Sequence, residues 1–315
     1  MSNKYEETDL NRVSTHSISD RESKVRIEDF GKPVKGGKSF RKWFDSLPRQ
    51  LAGERLRKLV LALRRNLSAA GREMIWMTGA HVVKCGLSPY LIELMRKKYI
   101  TALAVNGATL IHDLEIAYFG ETSEDVAANL ETGIFGFGEE TASIAFRAAS
   151  EGKEMGAGLG ESLGRLILKG KAPFKDKSVL AQAYRFDVPA TVHIAVGTDI
   201  IHQHPGFDGA VWGELSHRDF RIFSKRVENL GRNGGVAINI GSAVIMPEVF
   251  LKAFSIARNL GAGFDRITTC NLDMINHYRP AQNILKRPAS FGGESISING
   301  HHEIMIPLLY SALLS

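Results

Sequence analysis

The chain has 315 residues, of which 44% are hydrophobic and 23% are charged, a composition typical of globular proteins. It contains no apolar run of the roughly 18 residues that a membrane-spanning helix needs, and its polar start does not resemble a secretory signal. With only Cys85 and Cys270, a disulfide framework is excluded, so we expect a cytoplasmic protein in a reducing compartment.

Positive charge is concentrated at the start of the chain. Residues 1–66 hold 16 of the 40 Lys and Arg residues but only 9 of the 34 Asp and Glu residues. Such a segment can attract nucleic acid or an anionic membrane. We favour a solvated tail followed by the polar face of one helix, and we expect neither nucleic acid nor a membrane as a partner.

The domain organisation follows from this pattern. Residues 1–45 are predicted to form a polar, flexible segment, and residues 46–315 a single α/β domain. Within 48–70, apolar residues recur at helical spacing: Leu56, Leu59, Val60, Leu63 and Leu67. This amphipathic basic helix must bury its apolar stripe on the domain or on a neighbouring subunit.

After Gly71, short apolar runs alternate with helical stretches. The predicted strands span 74–77, 100–105, 190–196, 236–240 and 266–269. The predicted helices span 89–98, 110–119, 123–130, 138–169, 218–230, 248–259 and 303–314, and Thr122 and Asp125 are assigned to a capping box. Strands that alternate with helices form βαβ units, which predicts a Rossmann-like, mostly parallel sheet flanked by helices.

Ligands of open parallel sheets bind at the carboxyl ends of the strands. Small and polar residues there allow backbone amides to approach a phosphate. We therefore assign cofactor binding to the residues in these turns: Thr78, Gly79, Ala80, His81, Asn106, Gly107, Ala108, Gly241, Ser242, Thr269 and Asn271. The alternative is that βα turns require small residues whatever the function.

A glycine-rich stretch at 156–164 resembles a dinucleotide fingerprint. However, no predicted strand precedes it, and Leu163 stands where the third glycine of the fingerprint would fall. We favour a loosened helix or an active-site loop over a phosphate site.

Histidines and carboxylates supply the candidate acid/base groups. The candidates are His112, Asp113, Asp199, His202, Asp208 and His301. His202 and His204 lie near two of these carboxylates, but their spacing does not match a zinc site, and we predict no bound metal. Two assignments have structural alternatives, since Asp113 can interact with the first turn of its helix and Asp199 can end a strand.

The turns also resemble deoxyhypusine synthase and its bacterial relatives over most of residues 71–315. The motifs, in chain order, are GAHVVKCGL at 79–87, NGATLIHDL at 106–114, AYFGE at 117–121, VPA at 188–190, GTD at 197–199, IGSAV at 240–244, TCN at 269–271 and IPLL at 306–309. The resemblance implies an NAD-binding domain that assembles as a homotetramer. In that family NAD takes a hydride from spermidine, and a lysine captures the resulting imine.

The chain departs from the family where that lysine is expected. Alignment on Arg279 and its following proline places Pro288 at the lysine position, with Lys286 two residues away, and Ala281 and Gln282 replace acids of the polyamine pocket. Without a placed amine, an enzyme-bound imine cannot form by that route.

The resemblance therefore predicts a relative that binds NAD and acts on an amine or amino-acid-like substrate, as a transferase or oxidoreductase, and is not a true deoxyhypusine synthase. The alternative is a non-catalytic regulatory or structural protein that binds a nucleotide on the same scaffold.

Overall fold

A computed structural model describes residues 39–315. Six strands form one parallel sheet. The strands are β1 (Glu73–Thr78), β2 (Ala102–Asn106), β3 (Ala190–His193), β4 (Gly235–Ile240), β5 (Ile267–Asp273) and β6 (Glu294–Asn299). The predicted Rossmann-like α/β fold with a mostly parallel sheet is confirmed.

The strands lie in the order β3-β2-β1-β4-β5-β6. Met77 of β1 pairs with Ala104 of β2 on one side and with Asn239 of β4 on the other. Because the chain winds outward in both directions from the centre, the order reverses between β1 and β4. This switch point opens a crevice at the carboxyl edge, where ligands of such sheets bind.

Helices cover both faces of the sheet. They are α1 (Phe40–Asp45), α2 (Leu51–Leu67), α3 (His81–Lys84), α4 (Ser88–Arg96), α5 (Gly107–Phe119), α6 (Val126–Thr132), α7 (Glu139–Met155), α8 (Leu159–Lys169), α9 (Val179–Arg185), α10 (Gly209–Asn233), α11 (Ile245–Asn259), α12 (Tyr278–Pro280), α13 (Arg287–Ala289) and α14 (His302–Leu314). A π-helical segment, Ala281–Lys286, joins α12 to α13, and 3-10 turns span Lys175–Lys177 and Ile200–Gln203. Among the described helices, none is long and apolar enough to cross a membrane.

Successive side chains of a strand point to opposite faces of the sheet, so the strands contribute to two hydrophobic cores. In β1, Met74 and Trp76 face the core beneath α2, α5 and α14, whereas Ile75 and Met77 face the core beneath α10 and α11. All six residues of β1 are buried, as expected for a central strand covered on both faces.

The predicted basic helix packs on its own domain. Leu56, Leu59 and Leu63 of α2 are buried in the larger core. On the polar face, Arg64 donates to the carbonyl of Ala312 (2.6 Å), one of the unpaired carbonyls at the end of α14. The apolar stripe of α2 is therefore buried against its own domain and does not need a neighbouring subunit to cover it.

The structure contains elements that the sequence did not predict, and one helix cap differs from the prediction. Helix α1 lies in the segment predicted to be flexible, and its Phe44 is buried; residues 1–38 lie outside the described part of the chain. Strand β6 and helix α9 were not predicted. Asp125, rather than Thr122, caps α6, because its carboxylate accepts from the Ala128 amide (3.1 Å).

Candidate functional site

A cavity of about 350 Å³ lies at the carboxyl ends of β2 and β3. Its lining comes from α5, from the segment that follows α5, and from the chain after β3. The lining side chains with ionisable groups are Lys84, His112, Glu115, Glu124, Asp199 and His204. Two of the predicted acid/base residues, His112 and Asp199, therefore meet in one cavity.

His112 belongs to a hydrogen-bonded relay. Its Nδ1 lies 2.6 Å from the Thr122 hydroxyl, which also contacts the Glu115 carboxylate. Because a carboxylate only accepts, Thr122 donates to Glu115 and accepts from Nδ1–H of His112. This leaves Nε2 of His112 as the basic nitrogen. Thr141 donates to the other Glu115 oxygen (3.1 Å) and fixes the carboxylate.

Burial governs the charge state of His112. Burial, with a smaller contribution from Lys84, lowers the pKa of His112 to about 4. The imidazole is therefore neutral at pH 7, the form that can accept a proton. Of this relay, sequence reasoning found only His112. Glu115, three residues along the same helix face, follows from helical spacing once α5 is assigned, whereas Thr122 lies beyond the end of the helix at Gly120.

Asp199 lies across the cavity against the start of α5. A Cβ on Gly107 would sit 2.0 Å from its Oδ2, so only glycine leaves room for this carboxylate. Burial raises the pKa of Asp199 to about 6, opposed by a hydrogen bond from the Ala195 amide (3.4 Å). The carboxylate is thus confined, desolvated and adjacent to the cavity.

The ring of His202 lies beside Asp199 but makes no hydrogen bond to its carboxylate. Its Nδ1 accepts from the Gly197 amide (3.1 Å), so the neutral ring carries its proton on Nε2, which lies 3.8 Å from Oδ2 of Asp199. The ring packs against Phe207 in a tilted arrangement, at a centroid distance of 4.5 Å and an interplanar angle of 56°. Burial lowers the pKa of His202, which keeps the ring neutral.

Hydrogen bonds join the two segments that form the outer wall of the cavity. Gln203 donates to the Phe135 carbonyl (2.7 Å), and His204 lies 2.9 Å from the Gly136 carbonyl. Glu124 accepts from the Gly136 amide (2.9 Å). Gly136 has φ of 79°, and a Cβ there would sit 2.3 Å from the Gln203 amide nitrogen, so this close approach requires glycine.

The predicted residues at the switch point pack against each other. The Gly79 amide donates to the Ile240 carbonyl (2.9 Å), and a Cβ on Gly79 would sit 2.2 Å from the Gly241 oxygen. The ring of His302 lies over Gly241, and His81 contacts that ring. The centre of the crevice is therefore filled by protein.

The other cofactor candidates lie nearby. Asn106 caps α5 by accepting from Thr109 (3.0 Å), and Ser242 accepts from the Met246 amide (3.1 Å) in the first turn of α11. Thr78 is buried in β1, Ala80 immediately precedes α3, and Ala108 lines the cavity.

The sequence predicted that Thr269 and Asn271 lie in a turn, but the structure places them inside a strand. Both are buried inside β5, which continues to Asp273, and Asn271 accepts from Asn239 of the neighbouring strand (2.7 Å). Their polar character, which favours a turn in sequence, instead serves a hydrogen bond across the sheet.

Three of the predicted acid/base residues lie elsewhere. Asp113, fully buried, accepts from the Ser178 hydroxyl (2.6 Å) and from two amides at the start of α9. Asp208 is exposed and caps α10 through Ala210 (2.9 Å). His301 is exposed at the start of α14. None of these three residues lines the cavity.

The glycine-rich stretch at 156–164 holds one of the protein's own carboxylates. Asp219 accepts from the Gly160 amide (3.0 Å) in the first turn of α8 and from the Val192 amide (2.8 Å). A Cβ on Gly158 would sit 1.8 Å from this carboxylate. The stretch is thus neither the loosened helix nor the loop that we expected, but a tight packing site.

Apolar side chains are exposed in the segments that follow β4, β5 and β6, including the starts of α12 and α14. They are Val244, Met274, Ile275, Tyr278 and Ile304, and Tyr278 is 73% exposed. Apolar surface of this kind is usually covered by a ligand or another chain. Within residues 39–315, no group of three ligand-type side chains could hold a metal ion.

The region of the missing lysine lies on α12, the π-helical segment and α13. Pro288 is buried and Lys286 is exposed, on the segment that returns to the amino end of β6. The lysine that lines the cavity is Lys84.

No protein-family model and no curated protein sequence matches the chain. Solved structures are similar in fold. AgrE in a ternary complex with ornithine and NAD+ has a TM-score of 0.52 and 14% identity, covering 82% of this chain and 32% of AgrE. ArgZ, an arginine dihydrolase from the ornithine–ammonia cycle in cyanobacteria, has a TM-score of 0.50 and 16% identity, covering 85% and 33%.

A conserved putative LOR/SDH protein from Methanococcus maripaludis S2 has a TM-score of 0.50 and 15% identity, covering 89% of this chain and 71% of that protein. This chain spans about a third of the length of AgrE and ArgZ. At these identities the likeness shows a shared fold.

Proposed function

We propose that the protein binds NAD along the carboxyl edge of its sheet and acts on an amine or amino-acid-like substrate in the cavity beside α5. The observation that carries this proposal is the His112–Thr122–Glu115 relay in a cavity that also contains Asp199. A positioned neutral imidazole beside buried carboxylates is typical of acid/base sites.

The charge of the cavity favours a cationic substrate. Three carboxylates, Glu115, Glu124 and Asp199, line it against one lysine, Lys84. An ammonium group near Asp199 would stabilise the ionised carboxylate and would regain the favourable interactions that burial removes. AgrE, with a similar fold, binds ornithine together with NAD+, which supports the same pairing here.

Different residues of the cavity bind the substrate and transfer the proton. Asp199 binds the substrate cation, and the Ala195 amide donates a hydrogen bond to that carboxylate. His112 accepts a proton at Nε2, and the resulting imidazolium is stabilised through Thr122 by Glu115. NAD, when bound, supplies the hydride acceptor.

The proposed chemistry differs from that of deoxyhypusine synthase. In the alignment, the family's lysine position is occupied by Pro288, which is buried, and the nearby Lys286 is exposed away from the cavity. The resemblance to that family, the homotetramer and the assignment as a transferase or oxidoreductase stay predictions.

The second candidate is a non-catalytic nucleotide-binding protein on the same scaffold. It is favoured by Pro288, which stands where the resembled family has its catalytic lysine. The two candidates differ at His112, which has a role in chemistry but none in binding a nucleotide at the carboxyl edge.

Thermal stabilisation by NAD, NADP and ADP-ribose tests the cofactor. A ligand at 100 times its dissociation constant stabilises by about 2.7 kcal/mol. If none of these nucleotides raises the melting temperature, the cofactor assignment is wrong.

Reduced-cofactor absorbance with a panel of diamines and basic amino acids then tests the chemistry. His112→Asn should lower turnover by about a hundredfold or more, since general bases contribute that much. His217→Asn, at an exposed position on α10, is the matched control and should leave turnover unchanged. Nucleotide binding without turnover of any amine would favour the non-catalytic candidate.

A further inference from the structure

A second cluster lies at the switch point, separate from the cavity. It consists of Cys85, His81, His302 and Asp273, and we call it the thiol cluster. Cys85 Sγ lies 3.4 Å from Nε2 of His81, and Nδ1 of His81 lies 2.9 Å from Nδ1 of His302. Nε2 of His302 lies 3.7 Å from Oδ1 of Asp273.

Cys85 Sγ lies at almost equal distance from both ring nitrogens of His81, 3.4 Å from Nε2 and 3.5 Å from Nδ1. The contacts allow one continuous arrangement of protons, in which the thiol donates to Nε2 of His81 and Nδ1–H of His81 donates to Nδ1 of His302. The proton of His302 is then on Nε2, which lies 3.7 Å from Asp273, beyond hydrogen-bond distance. The thiol is thus connected to two imidazoles, and a carboxylate lies beside the second.

The thiol cluster lies at the centre of the carboxyl edge of the sheet, where its residues are closely packed. His302 is only 1% exposed, and its Nε2 has no hydrogen-bond partner within residues 39–315. Its ring occupies the space beside Gly241, where a Cβ would sit 2.7 Å away. Gly241 has φ of 61°, so both its conformation and its contact with the ring favour glycine.

The two cysteines of the chain differ in access. Cys85 is partly exposed, whereas Cys270 is fully buried in β5. Burial and two neighbouring charged residues shift the pKa of the Cys85 thiol. Burial and Glu303 raise the pKa of the Cys85 thiol, and Lys84 opposes them. The resting group is therefore the thiol, so its reaction needs a base that removes the proton during attack.

We propose that Cys85 is a nucleophile for soft electrophiles such as disulfides, with His81 as the base that accepts its proton and His302 as the positioning residue. In the step with a disulfide, Sγ bonds to one sulfur and the S–S bond breaks. The leaving sulfur takes the bonding electron pair and then the proton that His81 has accepted. The reaction of Cys85 needs neither NAD nor a substrate in the cavity, although His81 is also one of the predicted cofactor-binding residues.

Alkylation of the full-length protein by iodoacetamide provides a direct test. A bond forms between Sγ and carbon, iodide leaves with its electron pair, and the proton passes to His81. Peptide mass spectrometry should find Cys85 alkylated and Cys270 unmodified in the folded protein.

Variants separate the base from the scaffold. His81→Asn should slow alkylation at Cys85 by about tenfold or more, and His302→Asn should slow it by a smaller factor. His217→Asn is the control and should react at the wild-type rate. Circular dichroism and thermal melts verify that each variant is folded.

The pH dependence of the wild-type rate gives a second readout that needs no variant. Base assistance by His81 predicts a pH-independent segment below the titration of the thiol. A lone thiol instead gives a rate that rises tenfold per pH unit. A lone-thiol profile, or a folded His81→Asn variant within twofold of the wild-type rate, would overturn the proposal. Failure of NAD to bind would leave these rates unchanged.

Discussion

Replacement of Asp113 tests whether this residue is structural or catalytic. In the structure its two carboxylate oxygens accept from the Val179 amide (2.7 Å), the Leu180 amide (3.1 Å) and the Ser178 hydroxyl. Burial raises the pKa of Asp113 to about 6, and the three donors oppose that effect. At pH 8 the group is therefore ionised and holds the start of α9.

Asp113→Ala removes every one of these acceptors from a fully buried site. Each buried donor left without a partner costs about 1–3 kcal/mol, so two amides alone imply a loss of about 2–6 kcal/mol in the free energy of unfolding. Asp113→Asn keeps one acceptor oxygen and should lose about half as much. Asp208→Ala, which removes an exposed cap of α10, should cost only about 1 kcal/mol.

Urea unfolding at pH 8 measures all three variants, and unchanged slopes would show that the denatured states are comparable. Nucleotide affinity should be unchanged in each folded variant. A loss below 1 kcal/mol in Asp113→Ala would refute the structural role. A stable Asp113→Asn variant that fails to turn over a substrate accepted by the wild type would instead support the catalytic role predicted from sequence.

Three further predictions concern the pKa values of two carboxylates and the space that Gly107 leaves for one of them. Burial raises the pKa of Asp219 to about 7, above its unfolded value, so the folded state holds an extra proton and stability falls as pH rises through 7. Unfolding at pH 6.5 and 8 should differ by about 1 kcal/mol from this group, and Asp219→Asn should abolish that difference. With Asp199 at a pKa of about 6, calorimetry should show diamine affinity falling as pH drops below 6, and a pH-independent affinity would contradict its role. Gly107→Ala places a Cβ on the Asp199 carboxylate and should weaken diamine binding about tenfold or more, whereas Gly213→Ala, which meets open space, should have no effect.

The sequence predicted the fold where strands are apolar and central. β1, β2 and β4 have continuous apolar runs that match burial on both faces. β6 was missed because it lies at the edge of the sheet and buries only Ile296 and Ile298 between polar residues. A strand with two buried side chains carries too little periodic signal to separate it from a loop.

Polar residues inside a sheet misled the prediction at β5. Asn271 looks like the end of a strand, yet it pairs with Asn239 inside the core, and such a partner 32 residues away is invisible to local patterns. The site shows the same limit. His112 and Glu115 follow from helical spacing, but the contact between Asp199 and Gly107 arises only when β3 pairs with β2.

Carboxylates of the chain itself occupy the N-termini of two helices that follow small or glycine-rich turns. A helix N-terminus stabilises any nearby anion, whether it belongs to a ligand or to the chain. Here Asp219 occupies the start of α8, and Asp113 the start of α9, each through amides of the first turn. Asp199 lies at the start of α5 and lines the cavity, and among residues 39–315 its one hydrogen-bond donor is the Ala195 amide, outside that helix. Because it accepts fewer hydrogen bonds than the other two carboxylates, Asp199 should gain most from a bound cation, which supports the proposal that substrate is recognised at α5 rather than at the turns with more glycine.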